Sequence, residues 1–311
     1  MTMMQCSYFY CRAFLPLGTQ ACPHCGYPID ETMLRDPSYL NALRRRVPVE
    51  SLVDMHQILR NEPGEVERQL AAMKLLGIKR VLLQSAPAEF TGLLGNGRLE
   101  AVAAGHPGLF WVSRYIDPHE PGALAALDQI AAEGIRVVKL VPAAGFAAND
   151  PALAPFWSAM ESHRLVAMVH TGFVTARHKS VERKLGRYMD SQLSHPFLFD
   201  LVARRHPALQ IILCHLGGVS WYKEAAQMVS EHDNVWGDTS AFGAFALRRC
   251  LVESVPLAMD KVFWGNDASA KAYLFNLHLL VDVLERAGMS QSADDLLCRN
   301  GERFAADHLD A

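Results

Sequence analysis

From Leu52 onward the chain alternates between short apolar runs rich in Val, Ile and aromatic residues and longer stretches whose apolar positions recur at helical spacing. The runs are LVDMHQIL from Leu52, RVLLQSA from Arg80, LFWVSRY from Leu109, IRVVKLV from Ile135, LVAMVH from Leu165, QIILCH from Gln210, NVWGDTS from Asn234 and KVFWGND from Lys261. Between them lie EVERQLAAMKLLG, ALAALDQIAAEG, FLFDLVARRH and AYLFNLHLLVDVLERAG, each ending near Gly, His or Pro as helices do. Strands that alternate with helices predict a parallel sheet with right-handed crossovers. Eight such units over roughly 215 residues match a closed α/β architecture, the (β/α)8 or TIM barrel, and we place it at residues 52–311. A doubly wound sheet would need a glycine-rich phosphate turn after an early strand, and none is present there.

The first fifty residues break this pattern. Cys6, Cys11, Cys22 and Cys25 fall in two pairs, CSYFYC and CPHCG. Paired thiolates on tight turns suit a closed tetrahedral zinc site, and so short a segment needs a metal or disulfides to fold. Residues 1–30 therefore read as a zinc-ribbon-like module with one structural zinc, the alternative being a disulfide-stapled or metal-free tail. His24 lies between the knuckle cysteines and is not required as a ligand. Residues 31–51, charged and proline-punctuated, read as a linker or a wrapping helix in which Arg44, Arg45 and Arg46 form a solvated face.

Composition narrows the function classes. Half of the 311 residues are hydrophobic and the formal charge is −3, which gives no electrostatic case for a nucleic-acid or membrane surface. No apolar run reaches the roughly 18 residues of a membrane helix. The polar, cysteine-containing start lacks the layout of a secretory signal. A cytoplasmic protein acting on a small molecule is the expectation, with homodimerisation or a protein partner reached through the N-terminal module.

The candidate chemistry sits at the carboxyl ends of the runs. Strict strand alternation puts Asp54 and His56 on one face about 7 Å apart. Lys139 comes late in the fourth run, His170 ends the fifth, His215 the sixth and Asp267 the eighth. In a barrel those ends converge on one mouth. One histidine at a strand end is ordinarily a satisfied core residue. Several imidazoles and carboxylates converging on an apolar floor are what a divalent ion with an open coordination position requires.

The segments from IRVVKLVPAAGFAAND to SHRLVAMVHTG, then HPFLFDLVARRHPALQIILCHLGGVSW, NVWGDTSA, DKVFWGNDAS and CRNGERFAADHL, resemble the metal-dependent TIM-barrel hydrolases of the amidohydrolase superfamily. The resemblance is to the amidohydrolase-related branch that also holds aminocarboxymuconate-semialdehyde and γ-resorcylate decarboxylases. It implies His170 as a metal ligand, His215 as a substrate-binding or proton-donating histidine, and Asp267 as a carboxylate that ligates the ion or activates its water. Relatives commonly carry Asp-x-His-x-His on the first strand, and here the second histidine is replaced by Ile58. Some decarboxylases of the branch use an acidic residue instead, which points to Asp54, His56, His170 and Asp267 as a four-ligand site acceptable to Zn²⁺ or Mn²⁺. Val141 and Asn266 are further departures, standing where His and Ser are usual.

Two-metal relatives carboxylate the lysine of the fourth strand. With Ile58 removing a ligand, one ion is expected, and Lys139 either binds a substrate carboxylate or pairs with an acid of the mouth. The loop FVTARHKSVERKLGRYMDS, with Arg177, either attracts an anionic substrate or forms a solvated helix face. Trp221 either walls the pocket or packs the next helix. Gly217 and Gly218 either let backbone approach a ligand or form the turn. Three functions follow. The first is hydrolysis of an amide, lactone or similar carbonyl, with Asp267 taking the water proton and His215 binding the oxyanion. The second is non-oxidative decarboxylation of an unsaturated or aromatic acid, against which no acid follows shortly after His215. The third is a barrel without catalysis that serves as a scaffold.

Overall fold

The computed structural model describes residues 51–87, 89–90, 92–174 and 188–310, together with positions 3–5, 14–16, 19, 23, 41 and 46. All eight apolar runs form strands: β1 (Leu52–Gln57), β2 (Ile78–Leu83), β3 (Phe110–Tyr115), β4 (Val137–Leu140), β5 (Val166–His170), β6 (Gln210–Cys214), β7 (Val235–Asp238) and β8 (Val262–Phe263). Each pairs in parallel with the next in chain order. The two ends of the sheet meet through backbone bonds: Met55 N–H donates to Trp264 O at 3.0 Å, and the N–H groups of Asn266 and Asp267 both donate to His56 O, at 2.9 and 2.7 Å. The barrel closes beside His56 and Asp267.

Alternation along each strand sorts apolar side chains into two layers. Val53, Met55, Leu82, Val137, Met168, Ile212 and Phe263 fill the barrel interior. Leu83, Val138, Leu140, Val169, Leu213 and Val235 face the surrounding helices. Those helices are α1 (Glu65–Leu76), α2 (Asn96–Gly105), α3 (Ala123–Ala132), α4 (Ala154–Ser162), α5 (Asp200–Arg205), α6 (Tyr222–Glu231), α7 (Gly243–Val252), α8 (Tyr273–Arg286) and α9 (Asn300–His308). Helix α1 stops where Gly77 adopts φ +74°, a left-handed cap that a side chain would strain. Helix α9 seals the amino-terminal end of the barrel. Its Phe304 is fully buried with its ring centroid 4.9 Å from that of Trp236 and 5.5 Å from that of Phe263, and Asp310 just beyond accepts from Trp111 Nε1 at 2.9 Å. With that end closed, the carboxyl mouth is left for a ligand.

At the N-terminus Met3–Gln5 and Phe14–Pro16 pair as an antiparallel ribbon. Cys6, Cys11, Cys22 and Cys25, and with them the structural zinc, lie outside the described residues, as do Arg177 and its loop. The expectation of a solvated face for Arg46 is corrected. Its guanidinium reaches helix α8, pairing with Asp282 and with Glu285 at 2.8 Å and meeting His278 Nδ1 at 3.0 Å. Sequence could not find this bond because its partners lie more than 230 positions away. Among the described residues no helix is long and apolar enough to cross a membrane.

Candidate metal centre at the barrel mouth

A register irregularity in β1, between Asp54 and Gln57, separates two residues that strict alternation would hold side by side. His56 reaches the mouth. Asp54 turns back into the wall: its Oδ1 accepts from the N–H groups of His56 and Asn266 at 3.0 and 3.1 Å, and its Oδ2 accepts from Tyr273 Oη at 2.6 Å. It is fully buried and does not line the cavity. Burial pushes its pKa up to about 7, against the pull of those three donors. The expectation of Asp54 as a metal ligand is thus corrected, because both oxygens are committed to the chain that closes the barrel.

His56, His170, His215 and Asp267 do come together. His215 Nε2 lies 3.3 Å from His170 Nδ1 and 3.8 Å from Asp267 Oδ2, and His56 Nε2 lies 3.6 Å from Asp267 Oδ1. The rings of His56 and His215 stack with centroids 5.1 Å apart. Local backbone distortion makes this possible. His215 follows the inward-facing Cys214 and by alternation would point outward, but φ values of +62° at His215 and +45° at Leu216 swing its ring over the mouth. Asp267 is likewise left-handed at φ +43°. Such conformations cost non-glycine residues about 1–3 kcal/mol each and persist where surrounding structure imposes them. Gly217 and Gly218 complete the turn at φ +73° and +60°, and a Cβ at Gly217 would stand 2.9 Å from Ala225 Cβ.

One residue the sequence reading passed over organises the cluster. Asp238, fully buried at the end of β7, accepts from His56 Nδ1 at 2.8 Å through Oδ2 and from the His215 N–H at 3.0 Å through Oδ1. The Ser240 hydroxyl donates to the same Oδ1, and its oxygen lies 2.9 Å from His215 Nδ1. With its own proton given to Asp238, Ser240 accepts from His215 Nδ1–H, which leaves the His215 Nε2 lone pair facing the cavity. The available signal was the run NVWGDTS, which carries an acid near its end as the two runs before it end in His170 and His215.

Electrostatics follow from burial and these partners. Burial and Lys139 act to lower the His56 pKa, but Asp238 and Asp267 outweigh them and hold it up at about 10. Asp238 is held below the usual carboxylate range, since the pull of His56 overcomes the opposing effect of burial. His215 is pushed down to about 4, first by burial, and is neutral at pH 7. His56, His215 and Asp238 offer ligand-type atoms all within 4.8 Å of one another.

This donor set fits a divalent ion. Imidazole nitrogen and carboxylate oxygen are standard zinc donors, and tetrahedral bonds of 2.0–2.1 Å place neighbouring donors about 3.3 Å apart, the spacing of His215 Nε2 and His170 Nδ1 and slightly under the 3.6 Å between His56 Nε2 and Asp267 Oδ1. The Asp238 carboxylate behind His56 Nδ1 is the outer partner that fixes the ring and leaves Nε2 as donor. The cavity above has a volume of about 390 Å³. Ile58, Val141, Asn266 and Lys139 line it. Lys139, 6% exposed, places Nζ 3.1 Å from Cys214 Sγ, and among the described residues no carboxylate pairs with it. Cys214 faces the barrel interior as a buried core thiol. Trp221 stands outside the cavity lining, with its ring 5.1 Å from that of His195, so its substrate role is replaced by packing at the start of α6.

The family model described as Amidohydrolase matches residues 68–289. The chain belongs to the amidohydrolase family. The barrel resembles an uncharacterised TIM-barrel protein from Bordetella bronchiseptica (TM-score 0.60, 16% identity, 83% of this chain and 99% of that one). It also resembles a dihydroorotase from Campylobacter jejuni (0.56, 14%, 83% and 84%). A third similar structure is 5-carboxyvanillate decarboxylase from Sphingomonas paucimobilis (0.53, 16%, 82% and 98%). No curated protein matches the chain.

Proposed function

We propose that this amidohydrolase binds one divalent ion through His56, His170 and Asp267 and hydrolyses an amide, lactone or related carbonyl of a small acid. The observation that supports this most directly is the gathering of three imidazoles and one carboxylate at the barrel end opposite helix α9, where His215 Nε2 lies 3.3 Å from His170 Nδ1 and 3.8 Å from Asp267 Oδ2, and His56 Nε2 lies 3.6 Å from Asp267 Oδ1. When bound, the ion supplies Lewis acidity toward a carbonyl oxygen and lowers the pKa of a water. Asp267, partly exposed to the cavity, accepts the proton of that water and passes it to the leaving group. His215, neutral and unprotonated at Nε2, which lies 3.3 Å from His170 Nδ1, is an acceptor in this tautomer. We therefore assign it to holding the nucleophilic water or joining the ligand set, in place of the oxyanion-binding role suggested by resemblance. Lys139 holds the substrate carboxylate at the cavity floor.

A second reading is supported by Lys139 as well. A cation in the floor that pairs with a thiol rather than a carboxylate suits gripping the acid group that a decarboxylase removes, and 5-carboxyvanillate decarboxylase is among the similar structures. In space, though not in sequence, an acid does stand beside His215: Asp238 binds its backbone N–H rather than its ring. Metal analysis of the full chain should find a barrel ion that His170→Ala removes; equal metal content in the two proteins would refute the site. Incubation with pooled lactones, cyclic amides and aromatic acids then separates the chemistries, ring-opened product marking the hydrolase and CO₂ the decarboxylase.

A further inference from the structure

Gln84 directly follows β2, and alternation from the inward-facing Leu82 turns its side chain toward the barrel axis. It is 1% exposed and lines the cavity. Its N–H donates to Gln57 O at 2.6 Å, so its backbone is fixed. Its side chain is not. Neither Nε2 nor Oε1 meets a hydrogen-bond partner among the described residues. The other buried glutamines behave differently: Gln57 Nε2 donates to Gln69 Oε1, and Gln69 Nε2 donates to Tyr273 Oη, both at 2.8 Å. A buried polar group left unmet costs about 1–3 kcal/mol, and leucine in the same place would carry no such cost. The packing of the barrel therefore gives no reason for an amide at position 84, whereas the cavity does.

We infer that Gln84 determines specificity by reading a substrate edge that presents a hydrogen-bond acceptor beside an N–H donor, the edge of a ring amide, in a small acid whose carboxylate Lys139 holds. The inference rests on the proposed reading of this cavity as the substrate site. A primary amide is the complement of such an edge: Nε2–H donates to the ring carbonyl while Oε1 accepts from the ring N–H, two parallel bonds in one plane. Lys139 rises from β4, two strands away, and also faces the cavity. A site built to hydrogen-bond a ligand rejects analogues lacking those groups far more strongly than an apolar pocket rejects an extra methylene.

Calorimetric titration of the full chain tests this with four probes. 6-Oxo-1,6-dihydropyridine-3-carboxylate carries both the amide edge and the carboxylate. Its N-methyl derivative lacks the donor, pyridine-3-carboxylate lacks the edge, and 2-pyridone lacks the charge. The first should bind about tenfold or more tighter than each of the others. Gln84→Leu should bring the three acids together in affinity while leaving Tm unchanged or higher, because it removes an unmet polar group. Lack of binding by the first probe, equal binding of the acids by the native chain, persistent discrimination in Gln84→Leu, or a lowered Tm in that variant each overturns the assignment. Metal content of the same samples is read separately. A chain that carries no barrel ion yet discriminates through Gln84 overturns the metal site and leaves this inference standing.

Discussion

His56 shows how one side chain is prepared for its task. Its Nδ1 is fixed by the Asp238 carboxylate at 2.8 Å, so Nε2 is the atom presented to the mouth. Asp238→Asn keeps the size and loses the charge, and outer partners of this kind typically contribute 10–100-fold in metal affinity. We expect a loss of that order in a competition titration with a chelating dye. The same pair sets a pH dependence in the metal-stripped protein. His56 has a folded pKa of about 10 against 6.5 when unfolded. Its contribution is therefore complete below about pH 6.5 and is lost as pH rises toward 10. Denaturation series over that window should show native stability falling with pH, and the Asp238→Asn variant should fall less; parallel curves would show the ion pair to be absent. Asp238 was legible only as an acid ending a strand. What it binds, His56 at a separation of 182 residues, was not.

At the scale of elements, the first and eighth strands meet where space is smallest. A Cβ on Gly265 would lie 2.5 Å from His56 Cβ and 3.1 Å from its backbone nitrogen. Gly265→Ala should destabilise by about 1–3 kcal/mol through overpacking, and should lower metal affinity because His56 must move. Gly97→Ala in α2, where a Cβ meets nothing within 4 Å, should instead raise stability by up to about 1 kcal/mol. Urea denaturation of both variants checks the contrast. Behind the same junction runs a buried chain of polar groups from Gln57 through Gln69 and Tyr273 to Asp54 and Asn266. Tyr273→Phe removes the Asp54 Oδ2 donor, leaving a buried carboxyl short of a partner. A loss of about 1–3 kcal/mol is expected, measured in the same way. Strand positions and inward or outward faces were readable from alternation along most of the barrel. They failed at β1 and after β6, where an irregularity and a left-handed turn override the period of two.

For the whole molecule, the ion proposed for the mouth would link metal binding to folding. An ion held only by the folded mouth raises the unfolding temperature by mass action, so a chelator should lower Tm in the native protein and leave His170→Ala unmoved. Equal shifts in both would place the responsible ion elsewhere in the chain.

The local periodicities fixed what depends on neighbours in sequence: eight strands, their intervening helices, a parallel barrel, and the reactive residues gathered at one end. Those features follow from alternation and helical spacing, which a few residues suffice to display. Tertiary structure alone decided which of the reactive residues share a cavity. It set Asp54 into the wall and brought Asp238 behind His56. It joined Arg46 to α8 and left the Gln84 amide facing the cavity unmet by any described residue. Each of these is a pairing across long separations or a departure from ideal backbone geometry. Such pairings are settled by closure of the whole barrel, and no short window of sequence contains both partners.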